Sequence, residues 1–230
     1  EEKEGLKRAC NNDLSRPVFA LMNPELTMTL PPYQTACGCA DVLMHTMERY
    51  FNREAALELT DGFAEALLRT VLRYSLVLRD RPEDYQARAE IMWAGSLSHN
   101  GITGFGTDGG DWSTHKMEHE LSGMFDVAHG AGLTAIWGSW ARYVCRERLE
   151  RFVPFALRVM EVAPAEDDYH TALRGIEAME AFFRSIGMPT TLTGLGVSPT
   201  DAQITEMAEK CIQAVGGKTL GVVKPLTVQD

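Results

Sequence analysis

The chain has 230 residues, 45% of them hydrophobic, and a formal net charge of −10. That length supports one substantial core, and the acidic charge argues against binding nucleic acid or an anionic membrane. No apolar run approaches the ~20 residues needed to cross a bilayer, and no signal peptide is recognisable. Five cysteines, an odd number spread through a large chain, argue against a disulfide framework. We therefore expect a cytoplasmic globular protein.

The sequence of residues 1–31 predicts little regular structure. Their one ordered feature is a short apolar run at residues 18–22 (VFALM), which ends at Asn23-Pro24. Such a run predicts a buried β-strand, yet the sequence offers it no obvious partner strand. We therefore predict one orphan strand within residues 1–31.

From Pro32 onward the pattern is almost wholly helical. Apolar residues recur every three or four positions, and proline or glycine marks the boundaries. The predicted helices cover about 32–50, 63–78, 82–99, 112–124, a stretch from about 130, 146–162, 165–185 and 199–215. The fold class that follows is all-α, one multi-helical domain over residues 32–230 plus the orphan N-terminal strand.

Two spaced clusters hold four of the six histidines and one aspartate. Asp41 and His45 are four residues apart, as are His115 and His119, and His129 follows shortly afterwards. Positions i and i+4 share one helix face, so each pair can point at one place. Taken alone, Asp41/His45 is more simply an ordinary ion pair. Together the clusters favour one metal site, because unpaired acid and imidazole groups inside apolar helices are costly unless a cation neutralises them.

The residue types also indicate which metal and which kind of site. Carboxylate oxygen with imidazole nitrogen suits Fe²⁺ or Zn²⁺, and three or four protein ligands with an open position is the catalytic arrangement. A zinc-peptidase helix is excluded, because His119-Glu120 is followed by Gly123 where a second histidine is required. His99 and His170 are interpreted as ordinary surface or hydrogen-bonded residues.

Residues 104–109 (GFGTDG) match the dinucleotide-binding pattern Gly-x-Gly-x-x-Gly. That pattern binds a pyrophosphate only between a strand and a helix, and here a helix is predicted before it. We therefore interpret the segment as a helix–helix connection.

Several segments resemble a known family. Residues 26–32 (LTMTLPP) and 39–48 (CADVLMHTME) resemble the metal-site helix of iron-containing (group III) alcohol dehydrogenases. Residues 112–123 (WSTHKMEHELSG) and 128–130 (AHG) resemble the second metal signature of that family. The butanol dehydrogenase and aldehyde reductase branch is the most similar, and residues 186–192 (IGMPTTL) share that likeness.

The resemblance implies a fold and a set of site residues. The fold would be the dehydroquinate synthase-like helical domain over residues 32–230, without the nucleotide-binding domain that precedes it in the family. Residues 1–31, with their short strand, would be the junction segment between the two. Asp41, His45, His115 and His129 would be the metal ligands. His119 would lie beside the nicotinamide and the substrate, as a catalytic and cofactor-binding residue.

The function implied is that of a nicotinamide-dependent alcohol dehydrogenase or aldehyde reductase. Fe²⁺ or Zn²⁺ would polarise the oxygen of a small alcohol or aldehyde, and NAD(P)H would serve the full-length enzyme, which we expect to be a homo-oligomer. The chain alone should be catalytically inactive. The alternatives are a glycerol dehydrogenase-like or dehydroquinate synthase-like relative, and a stand-alone helical metal-binding module.

Overall fold

The structure, a computed structural model, describes residues 5–8, 12–54 and 56–230. The helices are α1 Pro32–Tyr50, α2 Glu58–Asp80, α3 Tyr85–His99, α4 Ser113–Phe125, α5 His129–Val144, α6 Leu149–Pro154, α7 Asp168–Ser185 and α8 Asp201–Ala214. Within the described ranges no strand occurs, and one isolated antiparallel bridge joins Leu220 to Leu226. None of these described helices combines the length and apolar character needed to span a bilayer.

The all-α prediction is confirmed, but the predicted N-terminal strand is not observed. Residues 18–22 have no helix or strand assignment, and Val18, Phe19 and Leu21 are 99%, 76% and 88% exposed. A strand needs a neighbour for its backbone hydrogen bonds, and none is available in the described residues. Residues 1–4 and 9–11 of the predicted junction lie outside the described ranges.

Helix α1 is the central element of the core. Pro32 occupies its first turn, where a missing N–H costs nothing, and most of its later residues are buried. It packs on α2, α3 and α5. The approach to α5 is very close, because a Cβ on Gly130 would lie only 2.2 Å from the carbonyl oxygen of Cys37. Glycine at position 130 therefore lets the first turn of α5 contact the face of α1 that precedes Asp41.

Helix boundaries follow the capping chemistry to within a few residues of prediction. The Asp84 side chain accepts a hydrogen bond from the Ala87 N–H and begins α3, and Thr200 with Gln203 forms a capping box on α8. Cys37 and Cys39 lie in the N-terminal half of α1. The four described cysteines are free and buried, and Cys10 lies outside the described residues.

One predicted helix is divided into three parts. Residues 146–162 were expected to be continuous, but a 3₁₀ turn (Cys145–Arg148), α6 and a π-helical turn (Phe155–Val159) follow one another. Pro154 has no N–H to donate within the helix. The backbone widens directly after it, and Met160 N–H donates to the Phe155 carbonyl five residues earlier.

A buried ion pair joins three of these elements. Arg151 of α6 donates to both carboxylate oxygens of Asp61 on α2, at 2.8 and 2.7 Å, and also to the Tyr50 carbonyl at the end of α1. Arg151 is 2% and Asp61 6% exposed. The guanidinium also stacks on the Tyr50 ring. This contact fixes the end of α1 relative to α2 and α6.

Candidate metal centre

Three helices supply the predicted ligands. Asp41 and His45 lie one turn apart on α1, His115 lies in the first turn of α4, and His129 is the first residue of α5. The start of α4 is fixed by Asp111, whose carboxylate accepts hydrogen bonds from the N–H groups of Ser113, Val222 and Val223. The three helix segments therefore meet at one place.

The predicted ligands converge on a single carboxylate oxygen. The Nε2 atoms of His129, His115 and His45 lie 3.3, 3.6 and 3.7 Å from Asp41 Oδ1. Asp41 Oδ1 and His115 Nε2 are buried and have no hydrogen-bond partner. An unpaired buried polar atom is costly, and a cation between these two facing atoms would satisfy both of them.

Two buried glutamates contact the outer sides of the ligand rings. Glu48 Oε2 lies 2.6 Å from His115 Nδ1, and Glu118 Oε2 contacts His129 Nδ1. Lys7 Nζ lies 3.0 Å from both Glu118 Oε2 and His129 Nδ1. Sequence reasoning missed these contacts, although Glu48 follows His45 by three residues on the same face of α1. An outer carboxylate of this kind orients a ligating imidazole.

The electrostatics of the cluster favour added positive charge. Burial would raise the pKa of Asp41, but the imidazoles of His115, His129 and His99 around its carboxylate hold that pKa well below its usual range. Burial opposes protonation of His115 too, yet the carboxylates of Glu48 and Asp41 raise its pKa to about 9. Burial and the neighbouring His115 lower the pKa of His45 to about 3. A divalent cation would supply this positive charge without protonation of the histidines.

His99 is a further site residue that sequence reasoning assigned to the ordinary histidines. Its Nε2 lies 3.5 Å from Asp41 Oδ2, and its ring centre is 3.8 Å from that of His45. Its Nδ1 is 2.9 Å from the Gly95 carbonyl oxygen. The contact arises because α3 packs on α1, and no spacing rule in the sequence reveals it. His170, by contrast, lies exposed beside Asp167, as interpreted.

His119 lies next to the cluster and outside the group around Asp41. Its ring centre is 5.8 Å from that of His129 and 6.4 Å from that of His115. The Trp112 ring lies on another side, packed edge-on at 5.4 Å from His45 and 5.3 Å from His115. These two side chains therefore border the ligand group, Trp112 against His45 and His115, and His119 against His115 and His129.

The glycine-rich segment 104–109 is no phosphate-binding loop. Helix α3 and a 3₁₀ turn at Ile102–Gly104 precede it, and α4 follows it. Its neighbour Gly110 has a φ of +88°, and a Cβ there would lie 2.1 Å from the Glu48 carbonyl oxygen. The segment therefore serves as a tight connection against the end of α1, as the sequence indicated.

Comparisons with known proteins agree with this geometry. Residues 35–223 match the model of the Fe-containing alcohol dehydrogenase family, C-terminal. The chain is 36% identical over 225 residues to NADH-dependent butanol dehydrogenase A of Clostridium acetobutylicum, covering 97% of this chain and 57% of that protein. It is 32% identical over 214 residues to the NADPH-dependent aldehyde reductase YqhD of Escherichia coli, covering 92% and 55%. The crystal structure of NADH-dependent butanol dehydrogenase A from Thermotoga maritima superposes with a TM-score of 0.92 at 30% identity, covering 100% and 58%.

The chain therefore belongs to the Fe-containing alcohol dehydrogenase family and corresponds to its helical C-terminal domain. This confirms the resemblance noted in the sequence. The chain spans only 55–58% of the length of these three relatives. The family description names iron, and the names of these three relatives include NADH or NADPH.

Proposed function

We propose that this domain holds a catalytic divalent metal, Fe²⁺ or Zn²⁺, for a nicotinamide-dependent alcohol dehydrogenase or aldehyde reductase. The ligands would be Asp41, His45, His115 and His129. One observation carries the proposal: the buried, unpartnered Asp41 Oδ1 faces three imidazole nitrogens within 3.7 Å. One carboxylate oxygen with three imidazoles is a donor set that both metals accept.

The protein's own residues would prepare the site for a small alcohol or aldehyde. When bound, the metal would act as a Lewis acid on the substrate oxygen, and the nicotinamide would exchange the hydride. Asp41 offsets positive charge at the centre, while Trp112 borders the site on the side of His45 and His115. His119, on the His129 side, would orient the substrate or the cofactor.

The other half of the cofactor cleft would belong to a nucleotide-binding domain in the full-length protein. Residues 1–31 would form the junction to that domain, and 32–230 the helical metal-binding domain. The exposed apolar side chains at 18–22 support this division, because such a run is normally covered by another surface. The chain alone would be inactive. We expect a cytoplasmic homo-oligomer that uses NADH or NADPH and has no nucleic-acid or membrane partner.

The proposal is tested by metal binding to the protein after removal of bound metal with a chelator. We expect one Fe²⁺ or Zn²⁺ per chain by elemental analysis, and anomalous scattering at the metal edge that places the ion beside Asp41. The full-length enzyme should reduce a small aldehyde with NADH or NADPH. Absence of any bound metal at Asp41 in the full-length protein would contradict the proposal.

His119→Ala should separate metal binding from catalysis. Because the His119 ring lies beside the ligand group and not within it, we expect the full-length variant to retain its metal. Turnover should fall ~10²-fold or more, the usual range for loss of a positioned acid–base group. Metal content and kcat are measured on the same preparation. His170→Ala, which removes an exposed histidine, is the control, and a metal-free His119→Ala protein would contradict the assignment.

A further inference from the structure

We propose that Glu48 is a positioning residue that holds His115 in the tautomer able to bind a metal through Nε2. This inference rests on the proposed metal site and assigns a role to a residue outside the ligand set. Glu48 lies seven residues after Asp41 and three after His45, on the same face of α1. Its side chain is only 1% exposed.

Both carboxylate oxygens of Glu48 are directed at His115. Oε1 accepts a hydrogen bond from the His115 backbone N–H at 3.0 Å, and Oε2 lies 2.6 Å from Nδ1 of the same residue. An ionised carboxylate can only accept hydrogen bonds. The proton of a neutral His115 ring must therefore reside on Nδ1, and the lone pair must be on Nε2.

That lone pair faces the proposed metal position. His115 Nε2 has no hydrogen-bond partner and lies 3.6 Å from Asp41 Oδ1. A lone pair directed at a carboxylate oxygen is repelled unless a proton or a metal cation lies between the two atoms. Glu48 therefore fixes both the orientation and the tautomer of this ligand, as outer carboxylates do in known metal sites.

The equivalent contact at His129 has two competing partners, so the inference is confined to His115. His129 Nδ1 contacts the Glu118 carboxylate, which requires a donor, and Lys7 Nζ at 3.0 Å, which requires an acceptor. His115 Nδ1 has only the carboxylate of Glu48 within hydrogen-bond distance among the described residues.

Glu48→Gln is the informative substitution because it preserves size while adding an N–H donor. If the amide oxygen keeps the bond to the His115 backbone N–H, the amide NH₂ faces Nδ1. Nδ1 must then accept, and the ring proton moves to Nε2, which no longer offers a lone pair. The opposite amide orientation places NH₂ against the backbone N–H. Either orientation disturbs His115 without opening a cavity.

The experiment compares wild type, Glu48→Gln and Glu65→Gln. Glu65 is a matched control, a buried glutamate on α2 that accepts a hydrogen bond from the Tyr50 hydroxyl at 3.1 Å and contacts no ligand histidine. Zn²⁺ affinity is measured by chelator competition, and circular dichroism monitors folding. The His115 tautomer is read by ¹⁵N NMR in Zn²⁺-loaded protein. A second reading is taken in metal-free protein at a pH where the ring is neutral.

We expect Glu48→Gln to lower Zn²⁺ affinity by about 10- to 100-fold, with Glu65→Gln close to wild type. In metal-free protein the His115 proton should move from Nδ1 in wild type to Nε2 in Glu48→Gln. An unchanged tautomer together with wild-type Zn²⁺ affinity in Glu48→Gln, or an equal affinity loss in both variants, would overturn the role of Glu48. If wild type shows the expected tautomer but binds neither Zn²⁺ nor Fe²⁺, the metal proposal fails while the tautomer assignment stands.

Discussion

Replacing His115 by alanine is expected to reduce the metal content of the protein to background. His115 Nε2 is buried and unpartnered, and it faces Asp41 Oδ1 at 3.6 Å, so its removal takes away the most enclosed imidazole donor. The variant also leaves Glu48 without the ring that it orients. In the full-length enzyme turnover should fall together with the metal. Elemental analysis and activity of the same preparation check this.

His129→Ala is the companion variant, because its side chain is 31% exposed and its loss disturbs the core less. It should lose metal as well, and circular dichroism should show a folded protein. His170→Ala again controls for loss of an unrelated imidazole. Wild-type metal content in either His115→Ala or His129→Ala would remove that residue from the ligand set.

The parts of this site that could be predicted from the sequence are those that obey helical spacing. Asp41/His45 and His115/His119 are i,i+4 pairs on α1 and α4, so each pair shares a face. Glu48 obeys the same spacing and could have been found, since an acid three residues after a candidate ligand can reach the same surface. The two helix faces meet only because of tertiary packing, and the spacing of residues along the sequence does not predict that packing.

The features that sequence reasoning missed depend on contacts between distant segments. His99 reaches Asp41 only because α3 packs on α1, and Lys7 reaches Glu118 across 111 positions. The predicted strand at 18–22 failed for a related reason. Its apolar run is real, but backbone hydrogen bonding needs a partner that the described residues do not supply. In residues 146–162 the apolar residues keep helical spacing on both sides of Pro154. That spacing therefore predicted one continuous helix and did not reveal the change in backbone hydrogen bonding at Pro154.

Asp61→Ala should cause a large loss of folding stability. Arg151 is 2% exposed, and both of its bonds to the Asp61 carboxylate would disappear, which leaves a buried guanidinium without its counter-ion. Breaking one side of a buried pair typically costs about 3–5 kcal/mol in the free energy of unfolding. Denaturant unfolding of wild type and variant measures the difference.

A double substitution can separate the effect of the unpaired Arg151 charge from the effect of lost packing. Asp61→Ala combined with Arg151→Met removes both charges and keeps an apolar chain in the Arg151 position, so it should recover much of the stability. Recovery would be incomplete, because Arg151 also donates twice to the Tyr50 carbonyl, which would keep only the hydrogen bond from the Asn52 side-chain amide. The exposed pair Arg79–Asp80 is the control, and Asp80→Ala should leave the unfolding midpoint unchanged. This contact fixes the end of α1 and therefore the position of Glu48. If the double variant is no more stable than Asp61→Ala, the geometry of the contact contributes more to stability than its charge does.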